Sequence, residues 1–195
     1  GYSAMIYRGG KGYSTEGGVR VDAFARWPGM IEADSIVGDM VQVSDLFTTI
    51  SRVCGAKDGI PRDRIIDGLD QSGLMLLGET HGRRDTVYIY SGNSLKAVVK
   101  EQFKLNVPGA GENPIIADFY DLYRDTREEW PVATEVGAWG GAEFTRIVQR
   151  HKMRLQKYPD EGPALGIPYE GIENLRPETK AAVDAFLIKQ KTPQM

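Results

Sequence analysis

Gly9-Gly10-Lys11-Gly12-Tyr13-Ser14-Thr15-Glu16-Gly17-Gly18-Val19-Arg20-Val21 continues through Phe24-Ala25-Arg26 into Trp27-Pro28-Gly29, and this stretch decides how the chain is read. A lysine hung between glycines puts a compact cation on a long stem, on a backbone that can approach a ligand closely. After the Glu16-Gly17-Gly18 turn the residues alternate. Val19, Val21, Ala23 and Ala25 fall on one face, and Arg20, Asp22, Phe24 and Arg26 on the other. That period of two predicts a strand, ended by Pro28-Gly29. A P-loop is excluded, because Met5 and Gly12 stand where that motif needs a glycine and a hydroxyl residue. For Glu16 and Arg20 the expected role is structural, in the turn that enters the strand.

Working outward, Ser44 to Gly55 carries apolar residues at helical spacing (Leu46, Phe47, Ile50, Val53, Cys54). Ser44 is the expected N-cap and Gly55 suits the position after the helix. Cys54, the lone cysteine, falls on that stripe and is expected to be a buried structural thiol. A turn-rich bridge, Gly59 to Gly73, leads to a short helix at Gly73–Gly78. After the polar loop Glu79 to Asp85 the character changes to β. Thr86–Tyr90, Leu95–Val99, Gln102–Val107 and Ile115–Tyr120 read as four strands with short links, which favours an antiparallel meander. Helices are expected at Ala142–Lys157 and Pro177–Lys189. A meander with one polar face needs a helix packed on its apolar face.

Taken together, Gly10-Lys11, Glu16-Gly17-Gly18, Arg20-Val21 and Trp27-Pro28-Gly29 resemble the active-site lysine segment of the sulfatase family, G-K-x-x-x-x-E-G-G-x-R-V followed by W-P-G. Asp45-Leu46-Phe47 resembles its D-L-F-P-T, with Thr48 in place of the proline. Ile66-Asp67-Gly68-Leu69-Asp70 resembles I-D-G-x-D, and Tyr120-Asp121-Leu122-Tyr123-Arg124-Asp125 resembles Y-D-L-x-x-D. Thr15 and Asp22 depart from the tryptophan and proline common at those positions. The recognisable likeness covers about residues 9 to 125.

The resemblance implies an α/β fold: residues 1–80 as the end of an alkaline-phosphatase-like catalytic domain, and 81–195 as a small α+β subdomain with a four-stranded antiparallel sheet and C-terminal helices. It also implies that Lys11 contacts a substrate sulfate; His81, in the surface-loop composition Thr80-His81-Gly82-Arg83-Arg84-Asp85, is a further candidate at the substrate opening. The complete enzyme would use calcium and a formylglycine nucleophile made from a C/S-x-P-x-R motif. Cys54-Gly55-Ala56-Lys57 does not match that motif, and the aspartates and Asp-Asn pair of the metal site find no counterpart here. The expectation is therefore a C-terminal portion, inactive as a separate chain, whose partner is the missing N-terminal catalytic region. Two alternatives stay open: a phosphodiesterase or phosphonate hydrolase of the same superfamily, and a non-catalytic structural or binding module.

Composition sets outer limits. The chain has 195 residues, 41% of them hydrophobic, and a formal net charge of -3. Its basic residues are scattered among acidic ones, so no footprint for nucleic acid forms. No apolar run approaches the length of a membrane span. His81 and His151 are too few for a metal site, with His151 expected on a helix surface. Asp67 and Asp70 fall far short of a calcium shell and are expected to serve a turn. The resemblance suggests a periplasmic, extracellular or lysosomal setting.

Overall fold

The computed structural model describes residues 6–107, 118–132, 134–159 and 180–181, with backbone alone for 134–139. One compact unit runs to Pro159 and a second begins at Asp160. The expected Pro108–Pro114 loop, the start of the strand at Ile115 and most of the helix at 177–189 lie outside the described residues.

Four strands form one sheet: β1 Thr86–Ser91, β2 Ser94–Lys100, β3 Phe103–Asn106 and β4 Phe119–Asp121. Their spatial order follows the chain and every pairing is antiparallel, as the short links predict. Val98 pairs with Tyr88 on one side and Leu105 on the other. Gly92 turns the first hairpin at φ +55°, and Glu101 turns the second at φ +51°.

The run Ala97-Val98-Val99 is buried at three successive positions, which requires cover on both faces of the sheet. On one face lies α4, Thr134–Lys157. Phe144 and Ile147 of this helix pack with Val98 and Phe119. Phe119 stacks on Phe103 at 5.4 Å and meets Phe144 edge-on at 5.2 Å, arrangements that aromatic quadrupoles favour. A Cβ on Gly140 would lie 2.8 Å from the Phe119 ring, so this glycine lets the helix come close. The other face was expected to be polar and is not. It carries Ile89, Ala97, Val99, Tyr120 and Leu122, with Met40 packed against them.

Before the sheet come α1 Glu16–Val19, α2 Asp45–Val53, a 3-10 turn at Lys57–Gly59 and α3 Ser72–Leu77. The strand expected from Val19 to Arg26 does not form. The segment from Arg20 joins no ladder, and Val21 and Phe24 are 88% and 97% exposed. A strand needs a hydrogen-bonding neighbour, and none of the four described strands pairs with it. Alternation alone supplies only the side-chain pattern.

Helix α2 ends as expected at Gly55, at φ +74° with its N–H on Arg52 O at 3.0 Å. Its start differs. The Ser44 hydroxyl makes no cap bond; instead Asp45 Oδ2 accepts the Gln42 N–H at 2.9 Å. The buried face is polar, Asp45 and Thr49, whereas Leu46, Phe47 and Ile50 stay about half exposed. Cys54 is exposed with that stripe, correcting the expectation of a buried thiol. Packing direction is set by polar bonds from Asp45 rather than by apolar spacing.

His151 is also not a plain helix-surface residue. It is half-buried and stacks on Tyr88 at 3.9 Å, with its Nε2 against the Tyr90 hydroxyl. Burial lowers its pKa.

Phe144→Ala empties the centre of the helix–sheet contact. It is expected to cost about 3–5 kcal/mol in a urea melt. A loss below about 1 kcal/mol would mean that α4 does not carry the core.

Candidate functional site: the Lys11 loop and its anchors

Lys11 occupies a tight turn closed by the Tyr13 N–H on Gly10 O at 3.0 Å. Gly12 takes φ +95° within it, a conformation that side chains with a Cβ resist. Lys11 is exposed and, among the described residues, enters no ion pair. The loop then folds back over α1, with the Gly17 N–H on Arg8 O at 2.9 Å. A Cβ on Gly17 would lie 2.5 Å from Arg8 O, and one on Gly18 would lie 2.2 Å from Tyr13 O. The Glu-Gly-Gly sequence is thus a steric requirement of the lysine turn.

What holds the loop is a buried charge cluster. Lys104, from the centre of β3, is fully buried. Its Nζ donates to Ser14 O at 2.7 Å and lies 3.1 Å from Glu16 Oε1 and 2.8 Å from Glu128 Oε1. Glu128 Oε2 accepts the Glu16 backbone N–H at 2.7 Å. Arg20 Nε contacts Glu16 Oε2 at 2.5 Å, and its Nη1 donates to the Tyr7 hydroxyl at 3.0 Å. Two carboxylates therefore face two cations. Burying such charges costs several kcal/mol each and is repaid only when geometry and hydrogen bonds are good. Glu128 also sits at φ +55°, a left-handed conformation that costs a residue with a Cβ roughly 1–2 kcal/mol. Glu16 and Arg20 take the structural role that their position in the turn suggests.

A second hub supports the preceding elements. Asp45 is fully buried and receives the Leu69 N–H at 2.7 Å, Gln71 Nε2 at 3.2 Å and Arg84 Nε at 2.8 Å. Arg84 Nη2 reaches its other oxygen. Burial by itself would raise the Asp45 pKa, but the bonds from Arg84, Gln42, Leu69 and Gln71 outweigh it and hold the carboxyl below the usual range. Asp70 accepts the Ser72 N–H at 2.9 Å and pairs with Arg52 at 2.9 Å. The Asp67 carbonyl accepts from Arg84 at 2.8 Å. Both aspartates serve the turn.

His81 is exposed, its Nδ1 3.0 Å from Glu79 O. Its loop is tied to Asp39, whose carboxylate receives the Thr80 and Gly82 N–H groups at 3.1 and 2.8 Å. The Lys11 loop hangs instead on Lys104 and Glu128. The two candidates share no hydrogen-bond partner among the described residues. A cleft of about 350 Å³ lies elsewhere, bounded by Arg26, Trp27, Ile31, Ile50, Val53 and Met75, and its walls are mostly apolar.

Among the described residues no three His, Cys, Asp or Glu side chains converge as metal ligands. Cys54 sits exposed at the end of α2, outside any C/S-x-P-x-R context. The residues present therefore do not fit calcium or formylglycine. Sequence reasoning missed Lys104, Glu128 and Arg84. The available signal was a lysine at a central strand position, flanked by Phe103 and Leu105, where a solvated residue would be ordinary.

The four-stranded antiparallel sheet and its helices make this an α/β protein. Over 86% of this chain and 36% of the relative, the sequence is 41% identical to N-acetylgalactosamine-6-sulfatase of Rattus norvegicus. It is 36% identical to steryl-sulfatase of Mus musculus over 83% of this chain and 30% of that protein. The crystal structure of PsFucS1 sulfatase from Pseudoalteromonas sp. superposes with a TM-score of 0.71 at 26% identity, covering 80% of this chain and 34% of that one. No family model matches. The chain belongs to the sulfatase family as a partial, C-terminal-type match, spanning about a third of the length of these relatives.

Because the folded-state pKa of Asp45 is depressed, its stabilisation is present above the unfolded carboxylate value near pH 4 and is lost as pH falls through the lower folded value. Asp45→Asn is expected to cost about 3–5 kcal/mol at pH 7 and to flatten that acid limb in denaturant melts taken from pH 7 to 2. An unchanged acid limb would remove Asp45 from the hub.

Proposed function

We propose that this chain supplies the sulfate-contacting lysine, Lys11, and its supporting fold to a longer sulfuric ester hydrolase. One observation carries the reading: an exposed ammonium on a turn that glycines shape and buried charges hold in place. A sulfate ester carries negative charge on its non-bridging oxygens, and cleavage builds more on the leaving oxygen. A fixed cation aimed there stabilises the transition state beyond the ground state. Lys11 is placed on a short, braced loop, so little reorganisation is needed when that charge develops.

In this reading residues 1–80 complete the catalytic α/β domain and residues 81–195 brace it. Calcium and the formylglycine nucleophile, which the family uses, come from the part of the longer protein outside this sequence. His81 is a candidate contact at the rim of the substrate opening. The substrate is a small-molecule sulfate ester.

In the longer protein, Lys11→Ala is expected to lower kcat/KM for an aryl sulfate by about 10²–10³-fold. An unchanged value overturns the role of Lys11. A nucleophile other than formylglycine, with preference for a phosphoester, moves the protein to the phosphodiesterase side. The chain of 195 residues alone, with calcium, is expected to turn over no aryl sulfate. Turnover by the purified chain overturns its assignment as a portion.

A further inference from the structure

We infer that Lys104, clamped between Glu16 and Glu128, is a positioning residue that sets where the Lys11 ammonium stands, so that the C-terminal sheet tunes the anion site without touching the ligand. This rests on the sulfate-binding reading of Lys11. The Gly9–Gly18 loop contains Lys11 near one end and Glu16 near the other, and both Lys104 and Glu128 grip its second half. Lys104 Nζ takes Ser14 O at 2.7 Å, while Glu128 takes the Glu16 N–H at 2.7 Å. These are bonds to backbone as well as to charge, and they fix the path of the chain itself. Tyr13, next to Ser14, closes the lysine turn through its N–H on Gly10 O.

The grip also runs the other way along the sequence. Lys104 is paired across the sheet with Tyr120 and sits in β3 between Phe103 and Leu105. Phe103 and Leu105 belong to the layer under α4, whereas Tyr120 packs on the opposite face of the sheet. Displacement of the sheet or of α4 therefore reaches Lys11 through one buried side chain, along a path of packed and hydrogen-bonded groups. An apolar residue in place of Lys104 would leave two buried carboxylates facing each other, and the loop would have to open to water to relieve them.

The test is a double-mutant cycle in the longer protein, reading kcat and KM for an aryl sulfate. Lys104→Met is expected to lower kcat/KM by roughly 10- to 100-fold, the scale of a displacement near 1 Å at a reacting group. In the Lys11→Ala background the same substitution is expected to have almost no further effect, because both act through one ammonium. Full additivity of the two losses overturns the inference, since Lys104 would then matter only for stability. If Lys11→Ala is itself silent, the sulfate-binding reading falls first and this inference with it. If Lys104→Met does not fold, Glu128→Gln, which keeps the shape and leaves Glu16 paired, is put through the same cycle. In the chain itself, amide exchange gives an independent reading. Lys104→Met is expected to speed exchange at Tyr13 and Gly17 more than tenfold while the amides of β2 keep their rates. Equal acceleration throughout the sheet would overturn a local positioning role.

Discussion

The Lys104 ammonium, held out of water between Glu16 and Glu128, is the interaction on which the arrangement depends. It joins a loop near the start of the chain to a strand about ninety residues later, with sequence separations of 90 to Ser14 and 88 to Glu16. Apolar contacts could bury comparable area, but they are tolerant of small slides. Three charged groups in a dry site are not, because any loss of register leaves one of them unpaired. The same network explains why Glu128 holds a left-handed backbone conformation: its two oxygens must reach the Glu16 N–H and the Lys104 Nζ together. Glycine supplies the remaining freedom. Gly17 and Gly18 permit backbone approaches that any Cβ would block, and the lysine turn can close only over them.

The second hub inverts an ordinary expectation about helices. Helix α2 shows a clear apolar stripe, yet the side that faces the described residues is Asp45 and Thr49. Thr49 Oγ1 accepts the Gln71 N–H at 2.9 Å, and Asp45 gathers donors from the 67–71 bridge and from Arg84. A charged side chain with this many donors outweighs the modest gain from burying one or two aliphatic groups, about 1.5–3 kcal/mol apiece. The apolar stripe, with the extended segment around Val21 and Phe24, is left facing outward.

The local elements of the second half were legible. The β character after Asp85 gave the four strands within one or two residues where they are described, short links gave the meander, and the spacing of Phe144, Ile147 and Val148 gave the helix that covers it. The turn that carries Lys11 was legible because a lysine among glycines ahead of Glu-Gly-Gly is an unusual combination with a steric logic. Less legible was anything set by a distant partner. The Val19–Arg26 alternation was read as a strand, but a strand is a relation between two segments. Cys54 was read as buried from its stripe, although burial depends on what lies across from it. The sheet was expected to have one polar face, yet Lys104 turned out to be fully enclosed.

The sequence by itself determined the glycine-shaped lysine turn, the order and direction of the four strands, and the helix on one face, since each depends on conformational preferences and periodicities that act over a few residues. Tertiary structure alone decided which charges are buried, which face of α2 points inward, and that the lysine turn is fastened to β3 and to Glu128. Those outcomes depend on desolvation and on pairing between groups far apart in the chain, and neither is written in any local window.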